Sequence, residues 1–328
     1  YYFKIYISHK QMKIALVTPG IMEIPPQGWG GVESVIWDYT QALTDLDHEV
    51  LIVNDKDWLN AIAITNNFNP DFVHLHLDDH IKIIPHLNCK TIAITSHYAY
   101  ADQPEKHGPY AAIFNEYKNT SCYVFCLSES IKETLIKKAG YESNLIHVFP
   151  NGIDENLFTF EDSPKYPDRT IYLAKIDYRK RQHIFQSMGL NMDFAGNIAD
   201  SRFNSAEENY LGEWPKPKVY TNLTDYASLA LLSDGEGHAR VCIEAFAAGL
   251  GVVVSEYATA HLDVDLPFVD LIPEDKMEDQ AFIKNVIIKN RNNSLNMRRE
   301  IREYGIEKFS LKNIIKDYEK TVIELVNR

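Results

Sequence analysis

Cysteine is scarce in this chain: four residues, Cys89, Cys122, Cys126 and Cys242, among 328. They form no disulfide framework, and without a Cys-x-x-Cys pair they supply neither a zinc knuckle nor a thiol redox motif. No apolar run approaches the ~18 residues that a membrane span requires. Basic residues are in deficit, 33 Lys and Arg against 46 Asp and Glu, for a net charge of −13. That balance disfavours a general nucleic-acid binder, which needs clustered cations, and leaves room only for a local basic pocket that takes a small phosphate ligand. Internal repeats and low-complexity segments are missing too. A reducing compartment is expected, with a cytoplasmic location and no nucleic-acid partner.

What is present is ordinary globular usage, 45% hydrophobic and 24% charged residues, which argues against a disordered chain. A single core stops growing beyond roughly 250–300 residues, so two domains are expected. Residues 1–11 (YYFKIYISHKQ) are basic and aromatic but lack the apolar stretch of a signal peptide. They are read as an extension outside the fold, which starts at Met12.

Short apolar, β-rich runs then alternate with helical stretches. Strands are expected at Lys13–Val17, Val50–Val53, Phe72–Leu77, Thr91–Thr95, Tyr123–Leu127 and Ile146–Phe149. After a break they resume at Ile171–Ile176, Met192–Ala195, Leu229–Leu232, Val252–Ser255 and Phe268–Ile272. Nearly continuous apolar runs suit parallel strands covered by helices on both faces. Helical spacing marks Val32–Leu46, Glu129–Ala139 and Ile243–Ala248, and two helices are expected in Leu295–Arg328. The reading is α/β, as two doubly wound, Rossmann-like domains with parallel sheets facing a central cleft. The boundary falls at Pro150–Asp154. It separates an N-terminal domain, 12–150, from a C-terminal domain, 151–310. A last helix, about 311–328, carries the stripe Ile314, Tyr318, Thr321, Val322 and Leu325 and is expected to cross back onto the first domain.

Four motifs carry chemistry. Gly28-Trp29-Gly30-Gly31-Val32-Glu33 follows the first strand and opens a helix, where backbone N–H groups can approach an anion. It is not the dinucleotide fingerprint G-x-G-x-x-G, and a structural glycine turn is the plain alternative. Leu173 to Arg181 holds four cations in seven positions, Lys175, Arg179, Lys180 and Arg181, at the end of the first strand of the second half. There they suit a pyrophosphate, or else form a solvated basic turn. Ser233 to Gly249 places Glu236 in a loop and Glu244 one turn into a helix. Two carboxylates flanking a cleft could divide the work between a reacting centre and a hydroxyl pair, or act as in glycoside hydrolysis. As ordinary structure, Glu244 would cap its helix and Glu236 would be a loop charge. His74-Leu75-His76 with Asp78, Asp79 and His80 could be a metal pair, but a polar strand end at the cleft is the better reading. Cys122 and Cys126 are expected to pack as small apolar residues.

The pattern Glu-x7-Glu, then Ala-x-Ala-x-Gly and a short strand ending in Ser-Glu, resembles the retaining glycosyltransferases of family 4, of GT-B fold. Gly-Gly-Val-Glu, Thr95-Ser96-His97, Asn151-Gly152-Ile153-Asp154, the Lys180 segment and Glu236/Glu244 occur in the family's order, from Met12 to the C-terminus. The resemblance implies a retaining hexosyltransferase. The donor would be a nucleotide-diphosphate sugar of GDP-mannose or UDP-glucose type, and the acceptor a glycan, glycoprotein or glycolipid. It implies that Gly30 and Gly31 line the donor phosphate and acceptor side and that His97 contacts the donor sugar. Lys175, at the family's Arg position, and Lys180 would grip the pyrophosphate. Glu236 would serve the donor sugar, Glu244 the ribose diol, and the amides of Gly237, His238 and Ala239 the sugar hydroxyls. Four positions depart from the family pattern: Lys175 replaces Arg, and Ala174 and Ala239 replace Gly. Arg181 also stands where the family has Gly.

No cofactor and no metal are expected, since no Asp-x-Asp suited to a metal-bound diphosphate occurs. A phosphorylase would need a further phosphate site or a pyridoxal lysine, and none is evident; a catalytically weak sugar-nucleotide binding module is the alternative of another class. Peripheral membrane association and a homodimer stay open as further partnerships.

Overall fold

The computed structural model describes residues 11–28, 30–99, 103, 105–106, 112–117, 119–120 and 122–328. The extension read at 1–11 lies outside them except for Gln11, and so does Trp29. In the first half the strands are β1 (Lys13–Thr18), β2 (Glu49–Asn54), β3 (Phe72–Leu75), β4 (Ile92–Ile94), β5 (Tyr123–Cys126) and β6 (Ile146–Val148). Between them lie α1 (Gly31–Thr44), α2 (Trp58–Phe68), α3 (Ile113–Tyr117) and α4 (Glu129–Thr134). The second half has β7 (Tyr166–Leu173), β8 (Met192–Ala195), β9 (Tyr226–Leu231), β10 (Gly251–Ser255) and β11 (Val269–Ile272). Its helices are α5 (Gln182–Gln186), α6 (Lys216–Asn222), α7 (Arg240–Ala247), α8 (Gln280–Asn296) and α9 (Arg298–Phe309), and α10 (Leu311–Val326) ends the chain.

Two sheets result, ordered β2-β1-β3-β4-β5-β6 and β11-β10-β9-β7-β8, and every pairing is parallel. Each expected strand is found, and the differences lie at the ends. β7 starts five residues before the expected Ile171, because Tyr166 pairs with Tyr226 across a register shift. The Pro and charges of Tyr166–Thr170 hide that start, and the register shift there tolerates them. The expected helix Glu129–Ala139 is α only to Thr134 and then widens over Leu135–Ala139, ending at Gly140 with φ 65°. Cys122, Cys126 and Cys242 are free and buried.

The two connections between the halves run side by side. Ile153 N–H donates to the Phe309 carbonyl at 2.9 Å, and Leu311 N–H donates to the Ile153 carbonyl at 2.8 Å. They approach so closely that a Cβ on Gly152 would stand 2.9 Å from the Leu311 Cα. Beyond this crossing, Leu311, Ile315, Tyr318, Val322 and Leu325 of α10 join Met12, Ile14, Leu16, Ile36 and Leu43 in one core. The last helix therefore completes the first half, with Ile314 buried beside the crossing and Thr321 half-buried. Among the described residues, no helix is long and apolar enough to cross a membrane.

Candidate functional site

Both sheets are wound alike. β1 lies between β2 and β3, and β7 lies between β8 and β9. Loops that leave the carboxyl ends of strands on either side of such a reversal part from one another and open a crevice. The two crevices face each other across a cleft of about 540 Å³. Gly30, Gly31 and His97 line it from the first half. Lys175, Lys180, Glu236, Gly237, His238, Ala239 and Glu244 line it from the second. The fold thus brings these ten residues to one cavity.

Lys180 and Glu236 meet in this cavity. The Lys180 ammonium bonds the Glu236 carboxylate, and both side chains are largely withdrawn from water. The Lys180 backbone is clamped as well: its N–H donates to Asp177 Oδ1 at 3.0 Å and its carbonyl accepts from the Tyr172 hydroxyl at 2.5 Å. Arg181, in contrast, turns away from the ligand space. Its guanidinium donates to the Leu232 and Ser233 carbonyls, each at 2.9 Å, and pairs with Glu274 at 2.5 Å.

Glu244 is buried on α7, where Arg240 Nε donates to it at 3.1 Å and Lys216 Nζ at 3.3 Å. Burial pushes this carboxyl up, but Lys216 and Arg240 outweigh burial and hold it below its ordinary value. Arg240 also reaches across the cleft to Asp38 of α1 at 2.5 Å. A line of charges, Asp38–Arg240–Glu244–Lys216, therefore ties the two halves together beside the cavity.

The loop before α7 meets the first half directly. A Cβ on Gly237 would lie 2.8 Å from the His97 carbonyl oxygen, so only glycine fits. The His238 side chain serves the chain crossing: Asn151 N–H donates to its Nδ1 at 2.9 Å. Burial pushes His238 down to about 3, with His261 and Arg240 adding to the effect. Its ring is thus a neutral anchor for the crossing. Ala239 has φ −70°, an ordinary value that makes no demand for glycine.

On the opposite wall Gly30 adopts φ 136°, a conformation that needs glycine. Its carbonyl accepts from Ser34 N–H at 3.0 Å and Ser34 Oγ at 2.7 Å, which starts α1 at the cleft. Glu33, buried in the first turn, offsets part of the positive potential there. His74 and His76 do share a strand face, but their rings meet Tyr318, Thr95 and His97. Among the described residues, no three His, Cys, Asp or Glu are grouped to hold a metal ion. The Asp-x-Asp pairs at Asp45/Asp47, Asp55/Asp57 and Asp263/Asp265 all lie off the cleft lining.

Three lining or bridging residues escaped the sequence reading as site candidates: Asp38, Lys216 and Arg240. Arg240 precedes Glu244 by four residues, a helical ion-pair spacing that could have revealed it. Lys216 and Asp38 come from remote elements and leave no local signal.

This arrangement is that of the GT-B fold, two parallel-sheet α/β halves with a site between them. Residues 56–157 match the family model described as Glycosyltransferase Family 4, so the resemblance read from the motifs holds. The structure is similar to sucrose-phosphate synthase from Thermosynechococcus elongatus, with TM-score 0.76, 13% identity and coverage of 96% of this chain and 99% of that one. It is similar to Anabaena HepE in complex with UDP and glucose, with TM-score 0.71, 15% identity and coverage of 96% and 100%. It is also similar to the lipopolysaccharide outer core galactosyltransferase WaaB, with TM-score 0.70, 16% identity and coverage of 95% and 99%. No curated protein matches the chain by sequence.

Proposed function

We propose that the protein is a glycosyltransferase that moves a hexose from a nucleoside-diphosphate sugar to a carbohydrate-containing acceptor, with retention and without a metal ion. The observation that carries this reading is the Lys180–Glu236 pair, largely withdrawn from water in the cleft that His97 also lines. Breaking a sugar–diphosphate bond leaves negative charge on the diphosphate and positive charge on the ring. Lys180, with Lys175 and Arg179 lining the same wall, supplies fixed positive charge to the first. Glu236 supplies negative charge to the second. Preorganised charges of this kind are commonly the largest catalytic contribution.

Glu244, held on α7 by two cations, would accept from the ribose hydroxyls. His97 and the amides of Gly237 to Ala239 would meet the sugar. The Gly30–Gly31 wall, with Glu33 offsetting its potential, suits hydroxyl groups of an acceptor better than a second anion. Attack from that side, on the face the diphosphate leaves, gives retention.

Solved structures of Anabaena HepE hold UDP and UDP-glucose, which supports a UDP-linked donor over GDP-mannose. Calorimetric titration with UDP-glucose and GDP-mannose, with and without EDTA, is the test, together with nucleotide release in the presence of sugar acceptors. The expected result is binding of UDP-glucose that survives EDTA, with release of UDP. Loss of both binding and release on chelation overturns the metal-free reading. Tight binding that never leads to turnover identifies a nucleotide-sugar-binding module instead.

A further inference from the structure

His74 and His76 are buried, with 2% and 1% of their surfaces exposed, a costly place for an imidazole unless its nitrogens are satisfied. β3 and β4 run parallel with His74 opposite Ala93 and Leu75 opposite Ile94, which brings His76 and His97 out beside each other at the cleft. Two rungs form, each between residues 21 apart in sequence: His74 Nε2 lies 2.8 Å from Thr95 Oγ1, and His76 Nδ1 lies 3.0 Å from His97 Nε2. The His74 and His76 ring centroids are 3.9 Å apart, and the His76 and His97 planes differ by 24°.

Proton positions follow from counting donors. The Thr95 hydroxyl donates its one hydrogen to the Phe125 carbonyl at 2.9 Å, so it accepts from His74 Nε2–H. His74 Nδ1 is then bare and accepts from the Tyr318 hydroxyl of α10 at 3.1 Å. In the outer rung a single hydrogen lies between two imidazoles. Burial keeps both neutral, pushing His97 down to about 4 and His76 well below the ordinary histidine range. His76 Nε2 is buried without a partner among the described residues. With the hydrogen on His76 Nδ1, the partnerless Nε2 is a bare acceptor; the reverse arrangement would bury an N–H with nothing to donate to, at the cost of its desolvation. His97 Nε2 accepts the His76 Nδ1 hydrogen, and His97 carries its own hydrogen on Nδ1.

We propose that His76 is a positioning residue that holds His97 at the cleft as the Nδ1–H tautomer, so that His97 offers a hydrogen-bond donor to an oxygen of the bound sugar. Only the identity of that oxygen rests on the glycosyltransferase reading; the tautomer belongs to the unliganded chain.

Long-range ¹H–¹⁵N correlation spectra of the full unliganded chain test it. The parent should show a protonated Nδ1 and a bare Nε2 on His97. His76→Leu should average the His97 signals between tautomers. His76→Asn, whose amide nitrogen takes the place of the imidazole Nδ1, should keep the parent pattern. A parent His97 with its hydrogen on Nε2, or one unchanged in His76→Leu, overturns the proposal. If His76→Leu does not fold, as judged by circular dichroism, the parent and His76→Asn spectra decide.

UDP release from UDP-glucose gives a second reading. His76→Leu should lower kcat about tenfold, the worth of one hydrogen bond, with UDP affinity unchanged. His76→Asn should recover most of the loss, and His76→Leu should add nothing in a His97→Ala background. Losses that multiply in the double variant overturn the proposal. A parent chain that releases no nucleotide from UDP-glucose or GDP-mannose counts against the glycosyltransferase reading alone, and the tautomer spectra then decide the role of His76.

Discussion

Arg181 stands where the resembled family carries glycine, and its backbone shows the reason: φ is 59° and ψ 19°, in the left-handed region. A side chain there costs about 1–2 kcal/mol, which the bonds to Leu232, Ser233 and Glu274 offset. Arg181→Ala keeps the strain and frees two carbonyls, whereas Arg181→Gly frees the carbonyls but relieves the strain. Thermal melting should therefore rank the parent first, Gly second and Ala last, with about 1 kcal/mol between the two variants. An Ala variant that melts at or above the Gly variant contradicts this account. The Lys180–Glu236 pair makes a separate prediction. Glu236→Gln leaves the Lys180 charge free for the diphosphate, so UDP alone should bind at least as tightly while turnover falls. Lys180→Ala removes a charge-assisted contact and should weaken UDP binding roughly ten- to a hundredfold. Calorimetry with UDP reads both, and weaker UDP binding in Glu236→Gln would show that the pair does not compete with the ligand.

Among the elements, α10 has the clearest dependence on its partner. Its apolar stripe is legible at helical spacing, but a stripe says only that some surface covers it. The parallel crossing at Ile153 and Leu311 sends the helix to the first half. There Tyr318 packs against Tyr39, with ring centroids 5.2 Å apart, and His48 Nε2 lies 2.8 Å from Glu319. Deleting residues 311–328 should expose the face formed by Met12, Ile14, Leu16 and Leu43. Size-exclusion chromatography and dye binding should then report aggregation or a loosened first half. A truncated chain that stays monomeric and melts like the parent would show that α10 is dispensable. By the same logic β7 was half legible: its apolar end reads as strand, while Tyr166–Thr170 is a strand only because β9 lies beside it.

Over the whole molecule, buried neutral histidines make stability depend on acid. His74, His76 and His238 are each held below the ordinary histidine value, first of all by burial. In the unfolded chain they titrate near 6.5. Below that pH the unfolded state binds protons that the folded state refuses. Their contribution is therefore complete above about pH 6.5 and is lost as pH falls toward the folded values. Each adds a slope of about 1.4 kcal/mol per pH unit in that window. Urea midpoints should fall steadily from pH 7 to pH 5, and His76→Asn should flatten the slope by one proton. A midpoint constant over this range would show that these rings charge without unfolding.

Local spacing alone determined the strand count and the parallel α/β class. Those follow from apolar runs, which are properties of neighbours in the chain. Only the tertiary structure decided how the candidate residues are used. Lys180 and Glu236, read as separate contacts, are one ion pair because β7 and β9 are adjacent strands. The His74–His76 motif, a candidate metal pair by spacing, instead bonds Thr95 and His97 because β4 lies beside β3. Arg240 and Asp38 meet across 202 residues, a distance at which sequence spacing carries no information and only the closed cleft brings opposite charges together.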